Sequence, residues 1–257
     1  MQIVHGGPET LFRIERLRAD GPVMRASMPI GPWMSDENGA LYAGSLGVLI
    51  DNVLGYAIIA ARPPDHWSVS TEITLDVFDG LQSPLGHLHA EAEVSQLDAT
   101  GGFAIGKVSD DTGRLLALCT QRGRFIRAEL SPSVEGAPHR TVEATSMEEL
   151  LAVRQRPSAS VGTVHVEVSA NLQNPMHNLH GGISLSLSDI AARSALGSAP
   201  TPSAVTSIRA AYTRPVPGGC TAAFAASVQH RGRSFGLVDV VGRVNGKACV
   251  FARVSAG

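Results

Sequence analysis

The chain has 257 residues, enough for one large domain or two small ones. Hydrophobic residues make up 44% and charged residues 17%, which excludes a disordered chain, and a net charge of −2 offers no basic field to nucleic acid. The three cysteines, Cys119, Cys220 and Cys249, are odd in number and far apart, so they form neither a disulfide framework nor a CxxC metal pattern; this fits a reducing cytoplasm.

In chain order, the opening MQIVHGGPETLFRIERLRAD lacks the basic and apolar regions of a signal peptide. Ile50, Val53, Leu54, Ala57, Ile58 and Ala61 follow helical spacing, and Leu46, Val48 and Leu49 make the helix apolar nearly all round, which predicts burial. The same stretch is too interrupted, by Asp51 and Asn52, to read as a membrane span. TEITLDVF, HLHAEAEVSQL, GFAIGKVSD and LLALCTQRGRF then read as strands of an antiparallel meander separated by turns. Residues 131–145, rich in Pro, Ser and Gly, read as a linker. Ser146-Met-Glu-Glu149 is a capping-box pattern that opens a short helix, MEELLAV. ISLSLS alternates like a strand, but Ile183, Leu187, Ile190 and Ala191 keep helical spacing.

Sliding the chain by 138 residues lays DENGALYAGSLGVLID, residues 36–51, over NPMHNLHGGISLSLSD, residues 174–189. Gly44 meets Gly182 and Asp51 meets Asp189, which settles the second copy as a helix. Downstream the offset shrinks: Ser70 falls over Thr206, Ser95 over Ser227, Phe103 over Phe235 and Cys119 over Cys249. The chain therefore reads as a tandem duplication, with repeats at 1–130 and 146–257. One buried helix against an antiparallel sheet, twice, is an α+β architecture.

The pattern N-x5-H-G-G-x7-D, here Asn174, His180, Gly181, Gly182 and Asp189, resembles the PaaI-like hotdog-fold thioesterases. The closing HRGRSFGLVDVVGRVNGKACVFARV resembles the last strands of that family. The first repeat keeps Gly44 and Asp51, but Tyr42, Ala43 and Asp36 replace the His, the first Gly and the Asn. The resemblance implies a double hotdog that hydrolyses acyl-CoA thioesters without a metal or other cofactor, at sites built between two units.

Thioester hydrolysis needs donors for the developing oxyanion and a base or nucleophile across the carbonyl carbon. A helix N-terminus supplies free N–H groups, and glycines allow close approach. Gly181 and Asp189 are eight residues apart, about 12 Å along one helix. Asp189 therefore cannot serve a hole at Gly181, and the carboxylate must come from the other repeat. Two unequal sites are expected. Site A combines Asn174, His180 and Gly181 with Asp51. Site B combines Asp36, Tyr42 and Ala43 with Asp189, and the charge of Asp36 beside the oxyanion is expected to weaken it.

Blander readings compete. Taken alone, Asp51 and Asp189 fit solvated helix positions, His180 a turn histidine, and Asn174-Pro175 an ordinary turn. Ala43-Gly44-Ser45-Leu46-Gly47 lacks the first glycine of a nucleophile elbow. His87-x-His89 and His177-x-x-His180 lack a third metal ligand. Arg209, Arg214, Arg231 and Arg233 fit either CoA phosphates or plain surface. The competing functions are a noncatalytic acyl-CoA or acyl-carrier binder and a hotdog dehydratase. The expected partners are an acyl-CoA substrate and a second copy of the chain, with no nucleic acid and no membrane span.

Overall fold

The computed structural model describes residues 6–78, 86–127, 142–154, 162–197 and 204–257. The predicted linker at 131–145 lies outside them except for its last four residues. In chain order the elements are α1 (Gly7–Leu11), β1 (Glu15–Asp20), β2 (Val23–Pro29), α2 (Gly47–Ala60), β3 (His66–Val77), β4 (His87–Leu97), β5 (Gly101–Asp110) and β6 (Leu115–Arg127). They continue with α3 (Met147–Leu150), β7 (Thr163–Glu167), α4 (Gly181–Leu196), β8 (Val205–Tyr212), β9 (Thr221–Arg231), β10 (Gly236–Val244) and β11 (Lys247–Ala256).

Among the described residues the strands form one antiparallel sheet, ordered β1-β2-β4-β5-β6-β3-β8-β11-β10-β9-β7. Read outward from its centre, β3-β6-β5-β4-β2 and β8-β11-β10-β9-β7 are the same order, so each half is one hotdog unit and β1 is an addition at one edge. The halves join where β3 pairs with β8, from Glu72↔Ala211 to Asp76↔Ser207. The sheet curls around α2 and α4.

The two helices are buried for different reasons. α2 is apolar nearly all round, and its first eight residues are all buried. The stretch Ala43–Ala60 is apolar and long enough to cross a membrane, yet 94% of it is buried in the protein. α4 buries Ser184, Ser186 and Ser188, the residues that make ISLSLS alternate. Ser188 donates its hydroxyl to Ser184 O at 2.7 Å, and Ser186 donates to Gly44 O at 2.7 Å. Buried hydroxyls satisfied on carbonyls remove the penalty that would otherwise oppose a helix there.

The helices touch backbone to backbone. A Cβ on Gly47 would lie 2.1 Å from Gly182 O, and one on Gly182 would lie 2.3 Å from Gly47 O. That contact sets the first turn of each helix against the first turn of the other.

Paired β-bulges give the true correspondence of the halves. Each half has a residue skipped by the ladder at matching places: Thr71 and Thr206, Ser95 and Gln229, Leu116 and Cys249. A bulge inserts one unpaired residue and so acts as a register mark. The sequence-based pairings of Ser95 with Ser227 and Cys119 with Cys249 are therefore off by two or three residues. Counting from the bulges, Ser70 corresponds to Val205, and Gln121 to Val254.

Candidate active site

His180 ends an extended segment (ψ 136°) and caps α4, its Nδ1 accepting from Gly182 N–H at 3.1 Å. The carboxylate beside this helix end comes from the other half. Asp51 Oδ2 accepts from Gly182 N–H at 2.9 Å and lies 3.2 Å from His180 Nδ1. Asp189, eight residues down α4, instead accepts from Gly44 N–H at 2.8 Å. The structure thus brings together Asp51, His180 and Gly181 at one helix end, and Asp189, Tyr42 and Gly44 at the other.

Two further residues at site A escaped the sequence reading. Ser70, on β3, donates its hydroxyl to Asp51 Oδ1 at 3.1 Å. Gln121, on β6, donates its Nε2 to Ser70 Oγ at 2.9 Å. Gln121 Oε1 is buried without a hydrogen-bond partner in the protein. An acceptor left open beside a held carboxylate can receive a water or a substrate N–H. No local motif marks these strand residues; the only signal is that Ser70 and Gln121 fall on inward-facing strand positions where an apolar residue would be ordinary.

Gly181 is the first helical residue, so its N–H has no intrahelical partner. Its peptide is pinned from the far side by Tyr212, whose hydroxyl donates to Gly181 O at 2.9 Å. Burial, then the Asp51 charge, push the Tyr212 hydroxyl well above the ordinary phenol range and keep it a donor. Glu9, on α1, adds a second carboxylate behind the ring, with Oε1 3.7 Å from His180 Nε2. Asn174 serves the turn that leads into the helix: its Oδ1 accepts from Met176 N–H at 3.0 Å and Asn178 N–H at 3.1 Å.

All these groups face a cavity of about 390 Å³. One end is apolar, lined by Gly55, Tyr56, Ile59, Trp67 and Ile126; the other is lined by the Asn174–Leu179 loop and by Arg214. Of the arginines considered for CoA phosphates, Arg214 lines the cavity and donates to Ala248 O, Arg209 pairs with Asp76, and Arg231 donates to Ala195 O.

The second site is closed. Asp189 has no exposed surface, and its Oδ1 has no partner in the protein. Burial pushes its carboxyl up to about 6, against the opposing pull of Arg193 and the Gly44 and Ala43 N–H groups. Val205 and Val254 stand where site A has Ser70 and Gln121. Tyr42 replaces the histidine, stacks under Arg193 at 4.3 Å and hydrogen-bonds Glu148. The expectation that Asp36 would set a charge against an oxyanion is corrected. Its Oδ1 makes the same turn as Asn174, accepting from Asn38 and Ala40 N–H, and its Oδ2 pairs with Arg193 at 2.7 Å. The decoy Ser45 is fully buried and donates to Tyr42 O.

Comparison with known proteins agrees with this architecture. The family model described as acyl-CoA thioesterase C-terminal domain matches residues 7–125, and that of the acyl-CoA thioesterase N-terminal domain matches residues 171–257. No curated protein matches the sequence. Among solved structures, a putative oleoyl thioesterase from Lactobacillus plantarum is 15% identical, covering 93% of this chain and 98% of its own, with a TM-score of 0.62. A putative thioesterase from Novosphingobium aromaticivorans is 17% identical over 90% and 94%, with a TM-score of 0.61. A 12:0-ACP thioesterase from Umbellularia californica is 12% identical over 92% and 98%, with a TM-score of 0.58. These structures share the fold. With both halves matched by the paired domains of one family, the chain belongs to the acyl-CoA thioesterases of the double-hotdog type and is a thioester hydrolase.

Proposed function

We propose that the chain hydrolyses acyl-CoA to free acid and CoA at site A alone, with Asp51 as general base. The observation that carries this is the placement of the Asp51 carboxylate, from one half, on the N-terminus of α4 from the other. Ser70 and Gln121 support a water mechanism over direct attack, because they hold Oδ1 of Asp51 and leave the Gln121 carbonyl open for the water. Asp51 takes a proton as the water oxygen attacks the thioester carbon. The Gly181 N–H, at the positive end of α4, faces the oxyanion, while the Gly182 N–H holds the base. The C–S bond then breaks and the thiolate leaves with the proton.

The acyl group is assigned to the apolar end of the cavity, along the α2 face that carries Asp51, Gly55 and Ile59. That face is about 12 Å long. An extended chain with 1.5 Å bonds advances about 1.25 Å per carbon, so it accommodates about ten carbons. The Trp67 ring, covered by Arg62 at 5.5 Å, also lines the cavity. The test is free-thiol release from short, medium, long and aryl acyl-CoAs by wild type, Asp51→Asn and Asp189→Asn. Turnover should peak at or below about ten carbons, vanish in Asp51→Asn and persist in Asp189→Asn. Loss in Asp189→Asn with activity kept in Asp51→Asn would overturn the reading. A homodimer is also proposed, supported by Ile105, Leu118 and Phe251 exposed on the outer sheet face, and sedimentation velocity tests it.

A further inference from the structure

The helices α1 and α3 are exchanged between the halves. α1 begins the first half but packs on the 3₁₀ turn Ala170–Leu172 of the second. α3 begins the second half but packs on the turn Pro32–Met34 of the first. Each delivers one glutamate to the residue that caps the opposing helix end: Glu9 to His180, and Glu148 to Tyr42. Glu9 is 5% exposed, and Gly6 N–H donates to its Oε2 at 2.9 Å. Its Oε1 is turned to the imidazole. A carboxylate is costly to bury. The cap of a five-residue helix does not require one inside a cavity.

We propose that Glu9 is a positioning residue for His180, and that His180 takes over the proton Asp51 removes from water. This rests on the assignment of Asp51 as the base. With its Nε2–H directed at Glu9, the ring presents an unprotonated Nδ1 to Asp51 Oδ2, 3.2 Å away. The proton passes along Oδ2–H···Nδ1, the O–H bond breaking as the N–H bond forms. It then leaves with the thiolate sulfur. The transfer returns Asp51 to its charged form. The resulting imidazolium lies between two carboxylates, Glu9 from α1 and Asp51 from α2. Tyr212 from β8 is a further titratable group at this helix end, and Arg214 lines the same cavity.

A double-mutant cycle on the full chain tests this, using Glu9→Gln, His180→Gln, both together, and Asp51→Asn as the control for the site itself. Glu9→Gln keeps an acceptor for the Gly6 N–H and removes the charge. Its kcat should fall roughly 10- to 100-fold with KM within about twofold. The same substitution in the His180→Gln background should cost almost nothing, because its effect passes through the ring. Additive losses, or a wild-type kcat in Glu9→Gln while Asp51→Asn is dead, would overturn the role of Glu9 and leave the Asp51 site standing. Full activity in Asp51→Asn would overturn both.

Discussion

Asp51 and Asp189 occupy matching helix positions, yet their surroundings give them opposite characters. Asp51 has Ser70, the Gly182 N–H and a cavity; Asp189 has the Gly44 N–H at 2.8 Å, an open buried oxygen and valines where the serine and glutamine would be. Burial holds the Asp189 carboxyl at about 6, above the ordinary 3.8. The native state therefore binds this proton more tightly than the unfolded chain does. Its contribution to stability is fully present below about pH 4 and is lost as pH rises through about 6. At pH 7 the charged form costs about 3 kcal/mol. Asp189→Asn mimics the protonated acid, so at pH 7.5 it should melt roughly 5–10 °C above wild type. That advantage should shrink to about a third as the pH falls to 4.5, as read by calorimetry across the range. An equal advantage at both pH values would place the gain elsewhere.

At the level of elements, the crossing of α2 and α4 sets the distance between base and helix end. A methyl group on Gly47 would stand 2.1 Å from the Gly182 carbonyl oxygen, and backbone on both sides leaves it nowhere to go. Gly47→Ala should cost about 3 kcal/mol or more in chemical denaturation. Gly55→Ala, further along α2, meets Gln121 Nε2 at 3.4 Å and Asp51 Oδ1 at 3.9 Å, both ordinary contacts. It should instead stabilise by up to about 1 kcal/mol through helix propensity, while narrowing the acyl end of the cavity and raising KM. The two helices, the strands of the first meander and the cross-repeat origin of the carboxylate were legible in the sequence, because each rests on local periodicity or on the 1.5 Å rise of a helix. Ser70 and Gln121 were not, since they reach Asp51 across 19 residues and then a further 51, from strands whose pattern says only that they face inward. The offset between matching bulges drifts from 135 residues (Thr71 to Thr206) to 133 (Leu116 to Cys249), so sparse identities slid past the true register. Glu9 was invisible because its helix docks on the other half.

Across the whole molecule, the order of the halves is the reverse of the family names: the C-terminal domain model matches first and the N-terminal domain model second. The strand order explains why either order can serve. The two units meet at β3 and β8 through an antiparallel pairing, and the helix ends contact each other reciprocally, so the contacts that join the halves at site A, such as the Gly182 N–H with Asp51, do not run along the connection. The segment between 127 and 142 joins the units but supplies none of the groups named at the site. A permutant that begins at residue 142, runs to 257, crosses a flexible linker and ends with residues 6–127 keeps Glu9, Asp51, Ser70 and Gln121 in one unit and His180, Gly181 and Tyr212 in the other. Loop closure costs grow only slowly with length, about 0.6 kcal/mol per doubling, so a generous linker is cheap. The permutant should melt in one transition and keep kcat within a few-fold of wild type in the same thiol-release assay. Two separate transitions, or a folded permutant without turnover, would mean that the native connection itself holds the halves in register.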